Sequence, residues 1–191
     1  MASTGNVFPT SGTTADRAGA TAWTNPQYIT ADDSNFTTAA VPTDYLIATG
    51  FGFAIPSTAT ILGVTVRVNA SETGTGSSNY IPQLCSAATP TLIGSAKTAV
   101  AVSGSTKVTS TNGSTSDLWS ATLTPAIVND AGFGAVIWST DTVNTLSVDF
   151  ITIAIEYEDR TANLTGVAGT GNASTVAIET PATKVTTLQS W

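Results

Sequence analysis

Apolar and polar positions alternate most regularly between Asp44 and Asn69, and the rest of the chain can be read outward from that stretch. Tyr45-Leu46-Ile47 and Phe51-Gly52-Phe53-Ala54-Ile55 are rich in aromatic and β-branched residues. Pro56-Ser57-Thr58 then turns the chain, since proline fixes its own φ and donates nothing to a ladder. Beyond the turn, Val64, Val66 and Val68 share one face and Thr65 and Arg67 the other, the period of a half-buried strand. The pattern predicts two strands of a sandwich, with Phe51, Phe53 and Ile55 directed into its core.

Weaker signals continue the same theme. Tyr80 to Cys85 reads as a strand, and Pro82 within it predicts an edge position. Thr91–Gly94, Thr98–Val102 and Phe133–Trp138 are further short strands, while 72–78 and 107–116 read as surface loops of Ser, Thr and Gly. One short helix is predicted, with Thr124 as N-cap, Pro125 in the first turn, residues 126–131 following and Gly132 as the stop. Thr145 to Glu158 is the longest alternating run. Leu146, Val148, Phe150, Thr152, Ala154 and Glu156 fall on one face, and Val143, Ile151, Ile153, Ile155 and Tyr157 on the other. Both faces are largely apolar, so the run predicts a central strand covered on both sides. About eight strands joined by short turns specify an all-β fold, an antiparallel β-sandwich of jelly-roll type with one short helix.

The ends differ from this body. Residues 1–20 hold little apolar material and are expected to form an N-terminal arm, flexible or ordered by a partner, with Phe8 as its anchor. Residues 21–159 form the sandwich. Residues 160–191 are expected to be a C-terminal extension that gains order on partner subunits, because Leu164, Val167, Val176, Ile178, Leu188 and Trp191 are too few for a core and too many for a linker. Those six residues and Phe8 are the candidate partner-binding positions.

Composition narrows the chemistry. Charged residues make up 10% of the chain and about one residue in five is threonine, so polarity is carried by hydroxyls, which favour strands and turns. A net charge of −7 with six scattered basic residues argues against nucleic acid. With no histidine, imidazole catalysis and histidine metal sites are excluded. The single cysteine, Cys85, reads as a buried free thiol. Asp32-Asp33 could ligate calcium, but one pair without further carboxylate spacing reads as a solvated turn. No basic and apolar leader opens the chain and no run approaches a membrane span, so assembly in a host cytoplasm is expected.

A resemblance covers residues 23–157. The order Trp23, Pro26, Ile29, Asp32-Asp33, Tyr45-Leu46, Phe51-Gly52-Phe53-x-Ile55-Pro56, Ile61-x-Gly63-Val64-x-Val66, Trp119, Leu123-Thr124-Pro125, Phe133-Gly134 and Ile151-x-Ile153-x-Ile155-x-Tyr157 resembles the β-sandwich virion proteins of tailed bacteriophages. Leu164-Thr165-Gly166-Val167-Ala168-Gly169-Thr170-Gly171 is similar to a short unit of phage structural proteins, present here in one copy. The resemblance implies a virion structural role without catalytic residues, cofactor or metal. The first expectation is a capsid decoration or cement protein on the outer surface of the particle, a trimer partnered with the major capsid protein or other virion proteins. The alternative is a tail- or fibre-associated module that recognises a host glycan through Trp23, Tyr28, Tyr80, Trp119, Trp138 or Trp191. An enzyme is not expected, because no motif pairs Asp32, Asp33, Asp141, Asp149, Glu156 or Glu158 as a hydrolase requires.

Overall fold

The alternating valines of the central stretch need a second layer to cover their apolar side, and the computed structural model supplies it. It describes residues 1–159 apart from Thr75 and Ala88. In chain order the strands are β1 (Ala2–Ser3), β2 (Ser11–Ala15), β3 (Thr37–Ala40), β4 (Tyr45–Thr49), β5 (Thr60–Thr73), β6 (Ser77–Ser86), β7 (Thr91–Ile93), β8 (Val100–Ser103), β9 (Val108–Gly113), β10 (Phe133–Trp138) and β11 (Thr145–Glu158). A 3-10 turn at Pro26–Thr30 and a single-turn helix, α1 (Pro125–Val128), lie between them. One sheet runs β1-β11-β5-β9 with β3 also on β11; the other runs β2-β4-β10-β6-β7 with β8 also on β6. The fold is an antiparallel β-sandwich of jelly-roll type, as the strand pattern predicts. Val64, Val66, Val68, Ile151, Ile153 and Ile155 from the first sheet meet Leu46, Ala48, Leu84, Ala135 and Ile137 from the second.

β11 is central, with β5 along one edge and β3, Val7 and β1 in succession along the other. Its faces differ from the sequence expectation for one local reason. The register against β5 shifts between Val148 and Phe150, and an extra residue at Asp149 reverses the alternation. Leu146 and Val148 therefore share the core side with Ile151, Ile153 and Ile155. Phe150 stands apart from that cluster and meets Phe8 edge-on at 5.6 Å between centroids. One bulge accounts for a run that looked apolar on both faces.

The N-terminal segment corrects the expectation of a free arm at residues 1–20. β1 pairs with the end of β11, Val7 bridges Ile153, and β2 pairs with the whole of β4. The segment contributes few apolar side chains but many backbone groups, and those find partners in both sheets. The compact unit accordingly runs Met1–Thr161.

Four smaller differences follow from backbone accounting. The 107–116 loop contains β9, whose Thr- and Ser-rich backbone pairs with β5 from Thr65 to Ala70. Pro82 lies where β6 changes neighbours: β8 pairs with Ser77–Tyr80 and β7 with Leu84–Ser86, so the missing N–H falls between them. Phe51, Phe53 and Ile55 are buried as predicted, but the segment belongs to no strand after β4 ends at Thr49. Asn129 takes the place of a strand neighbour there, its Oδ1 accepting from Ile55 N at 3.0 Å and its Nδ2 donating to Ile55 O at 2.8 Å. Thr124 and Pro125 start α1 as expected, yet the helix ends at Val128 with Asn129 as C-cap rather than running to Gly132. Asn129→Ala is expected to lower stability by about 1–3 kcal/mol, because it strands a buried N–H and C=O together. Asn129→Asp is expected to recover less than half of the loss, since a carboxylate cannot donate to Ile55 O. Urea unfolding midpoints would read both.

Candidate functional site

Partners in an antiparallel ladder project to the same side, so the outward residues of the six-stranded sheet follow from its register. With Leu46, Ala48, Ala135 and Ile137 directed inward, Tyr45, Ile47, Val136 and Trp138 project outward. Ile47, Val136 and Cys85 form a small fully buried cluster on that side, and Ala15, Tyr45 and Trp138 pack against it half-buried. The Tyr45 and Trp138 rings meet edge-on, 5.4 Å apart at 81°. Arg17, just beyond β2, lies over both, its guanidinium carbon 5.8 Å from the Tyr45 centroid and 6.0 Å from that of Trp138. Its Nη1 donates to Thr43 O at 2.8 Å and Ser139 O at 3.1 Å, and its backbone N–H to Asp44 Oδ1 at 2.9 Å. The cation is thus held in place by the same turns that present the rings. An aromatic pair beside a fixed guanidinium offers ring faces and edges to C–H groups and N–H donors to hydroxyl or carboxyl oxygens.

The positions proposed from sequence are distributed differently. Phe8 is partly exposed but rests on Phe150 of its own chain. Leu164, Val167, Val176, Ile178, Leu188 and Trp191 lie outside the described residues. Among the aromatics considered for glycan contact, Trp23, Tyr80 and Trp119 are core residues. Trp23 Nε1 donates to Asp44 O at 2.9 Å. Tyr28 is exposed, and among the described candidates only Trp138 belongs to a composite aromatic surface. Arg17 and Tyr45 were missed because Arg17 sits in the segment expected to be an arm. Only the non-local pairing of β2 with β4 brings it to the rings.

The acidic residues do not converge. Asp33 accepts from Asn35 N at 3.0 Å and Asn35 Nδ2 at 2.8 Å, and these bonds, the backbone one first, hold its carboxyl below the usual range. Asp141 is bonded to Asn79, and Asp149 pairs with Lys107 at 2.5 Å. Among the described residues no group of three or more His, Cys, Asp or Glu side chains is placed to hold a metal. Burial pushes the Cys85 thiol up to about 12. Cys85 is therefore expected to resist iodoacetamide and disulfide reagents at neutral pH in the folded protein and to react at once in denaturant; rapid native labelling would contradict its position in the sheet.

No protein-family model matches the chain, and no curated protein does. Several solved structures are similar to it. A CBM4 structure shares 11% identity over 65% of this chain and 73% of its own, with a TM-score of 0.40. The CBM22-1–GH10 modules of Clostridium thermocellum endo-1,4-β-D-xylanase 10B, complexed with xylohexaose, share 14% identity over 78% of this chain and 25% of that one, at a TM-score of 0.38. The CBM22-1 xylan-binding domain of Paenibacillus barcinonensis Xyn10C shares 10% identity over 78% of this chain and 95% of its own, at a TM-score of 0.33. No residue role carries over from any of them to this chain.

Proposed function

We propose that this chain is a non-catalytic recognition module that binds carbohydrate at the Tyr45–Trp138 end of its six-stranded sheet. The edge-on aromatic pair with Arg17 held across it carries the reading, because a sugar ring presents C–H groups to aromatic surfaces and hydroxyls to a guanidinium. The low charge content of the chain, 10%, and its hydroxyl-rich strands suit a neutral or weakly anionic glycan better than a strongly charged ligand. Calorimetric titration with a panel of neutral and uronic oligosaccharides tests it. Trp138→Ala is expected to weaken the sugar that binds by roughly tenfold or more, with circular dichroism showing the sandwich retained. If the intact protein binds no member of the panel at millimolar concentration, the assignment is wrong.

A second reading rests on the residues that resemble tailed-phage virion proteins. Phe51, Phe53, Ile55, Ile61, Val64 and Val66 of that pattern are all core residues, so the pattern belongs to the architecture of the body rather than to a surface site. On that resemblance alone, the chain would be a structural subunit of a phage particle, decorating the outside of the head shell as a trimer against the major capsid protein. Copy number per particle separates the readings: a dozen or fewer copies points to a tail or fibre position and sugar contact, whereas shell-wide occupancy points to cement. Removal of residues 161–191 is expected to reduce incorporation into particles while the body stays folded.

A further inference from the structure

The interior of the sandwich holds a carboxylate that its neighbours do not satisfy. Glu72, near the end of β5, pairs in register with Leu146, a core residue, and is 0% exposed. Among the described residues its Oε1 has no hydrogen-bond partner, and its Oε2 has only Ser78 Oγ, at 3.4 Å. That hydroxyl has a single proton and also faces Val143 O at 3.2 Å, while Asn144 Nδ2 donates to it at 3.4 Å. One proton therefore faces acceptors on both sides, and the carboxylate receives at most one long bond. Neither of the two ion pairs among the described residues includes Glu72.

An interior carboxylate without a cation or a set of donors is strongly unfavourable. What the cluster lacks is positive charge, and what it offers is oxygen: both Glu72 oxygens, Ser78 Oγ and the Val143 carbonyl. Asn144, held at φ 86 in the turn before β11, adds its side-chain oxygen once the amide is turned over. We infer that Glu72, Ser78, Val143 O and Asn144 form a calcium-binding site. Hard oxygen donors that mix carboxylate, carbonyl and hydroxyl are the set calcium takes. The site ties the end of β5 and the start of β6, which belong to different sheets, to the turn between β10 and β11. With one carboxylate, its affinity belongs in the weak range of extracellular modules, a Kd of roughly 0.1–1 mM. It is distinct from Asp32-Asp33, whose second carboxylate is engaged with Asn35.

Protein dialysed against EDTA and then titrated with calcium chloride tests this, by calorimetry and by thermal unfolding at matched ionic strength. About 5 mM calcium is expected to raise Tm, and the same concentration of magnesium to do so less, since magnesium demands a tighter octahedron. Glu72→Gln, which keeps the shape and removes the charge, is expected to lose at least roughly tenfold in calcium affinity and, in EDTA, to be no less stable than the parent. Should that variant not fold, Ser78→Ala is expected to weaken calcium binding while Asp33→Asn leaves it unchanged. A parent protein whose Tm and titration heats ignore calcium overturns the proposal. So does a response that Asp33→Asn abolishes.

Discussion

Lys107→Ala is expected to destabilise the protein by about 3 kcal/mol, although the residue lies on the surface. Its Nζ is 2.5 Å from Asp149 Oδ2, and the Asp149 side chain is 0% exposed against 29% for that of Lys107. Among the described residues, truncation leaves a buried carboxylate with only the Ser34 N–H, at 3.2 Å, to offset its lost hydration. Breaking such a pair from one side costs about 3–5 kcal/mol, and the partial exposure of Lys107 places it at the lower end. The same ammonium lies 4.4 Å from the Phe36 centroid and bonds Ser34 Oγ at 3.2 Å, so the acidic turn at Asp32–Asn35 should loosen as well. Removing both charges together, as Lys107→Met with Asp149→Leu, is expected to recover much of the loss. Urea unfolding of the two singles and the double gives the coupling directly. Additive losses would mean that the pair contributes nothing of its own.

Trp119→Ala is expected to have the largest effect of any single truncation, about 4 kcal/mol. The indole is fully buried, and its Nε1 donates to Val64 O at 2.9 Å, in the middle of β5. Removing it opens a cavity and leaves that carbonyl without its side-chain donor. The surroundings cannot close over the gap, because they were shaped around the ring. Lys97 lies 4.7 Å from the ring centroid and pairs with Asp117 at 2.6 Å, and Asp117 in turn accepts from Trp119 N at 2.8 Å. Burial alone would raise the Asp117 carboxyl; the bonds from Lys97 and Trp119 N and the Lys97 charge outweigh it and leave it lowered. A Cβ on Gly113 would come within 2.3 Å of Val64 O, and that glycine sits at φ 80, so the ring and the glycine are matched. Trp119→Phe is expected to recover the cavity part of the loss but not the lost hydrogen bond, worth about 1–2 kcal/mol. A midpoint unchanged by Trp119→Ala would remove Trp119 from the core.

What could be read in advance tracks where apolar side chains alternate. Val64, Val66 and Val68, the Phe51–Ile55 run and the isoleucines of β11 announce themselves, because burying one face is a local and periodic demand. β1, β2 and β9 do not, because their Ser, Thr, Gly and Ala side chains carry no such signal. Those strands exist because open sheet edges accept their backbone groups, a demand set by distant residues. The Asp149 bulge was hidden for a related reason: periodicity assumes one residue per step, and the extra one is visible only against β5. Candidate chemistry divides the same way. Trp23, Tyr80 and Trp119 drew attention as large aromatics and proved to be core, whereas Arg17 drew none and completes the only cation–aromatic group with two rings among those described.

The pairing of Ala2 with Tyr157 has a mechanical consequence. Because β1 and β11 run in opposite directions, the start of the chain and the end of the body leave from neighbouring points. Tension applied between those two points would load their rungs one after another, as a zipper opens, rather than all at once in shear. The body should withstand traction far better when gripped across its sheets than when held at both of these ends.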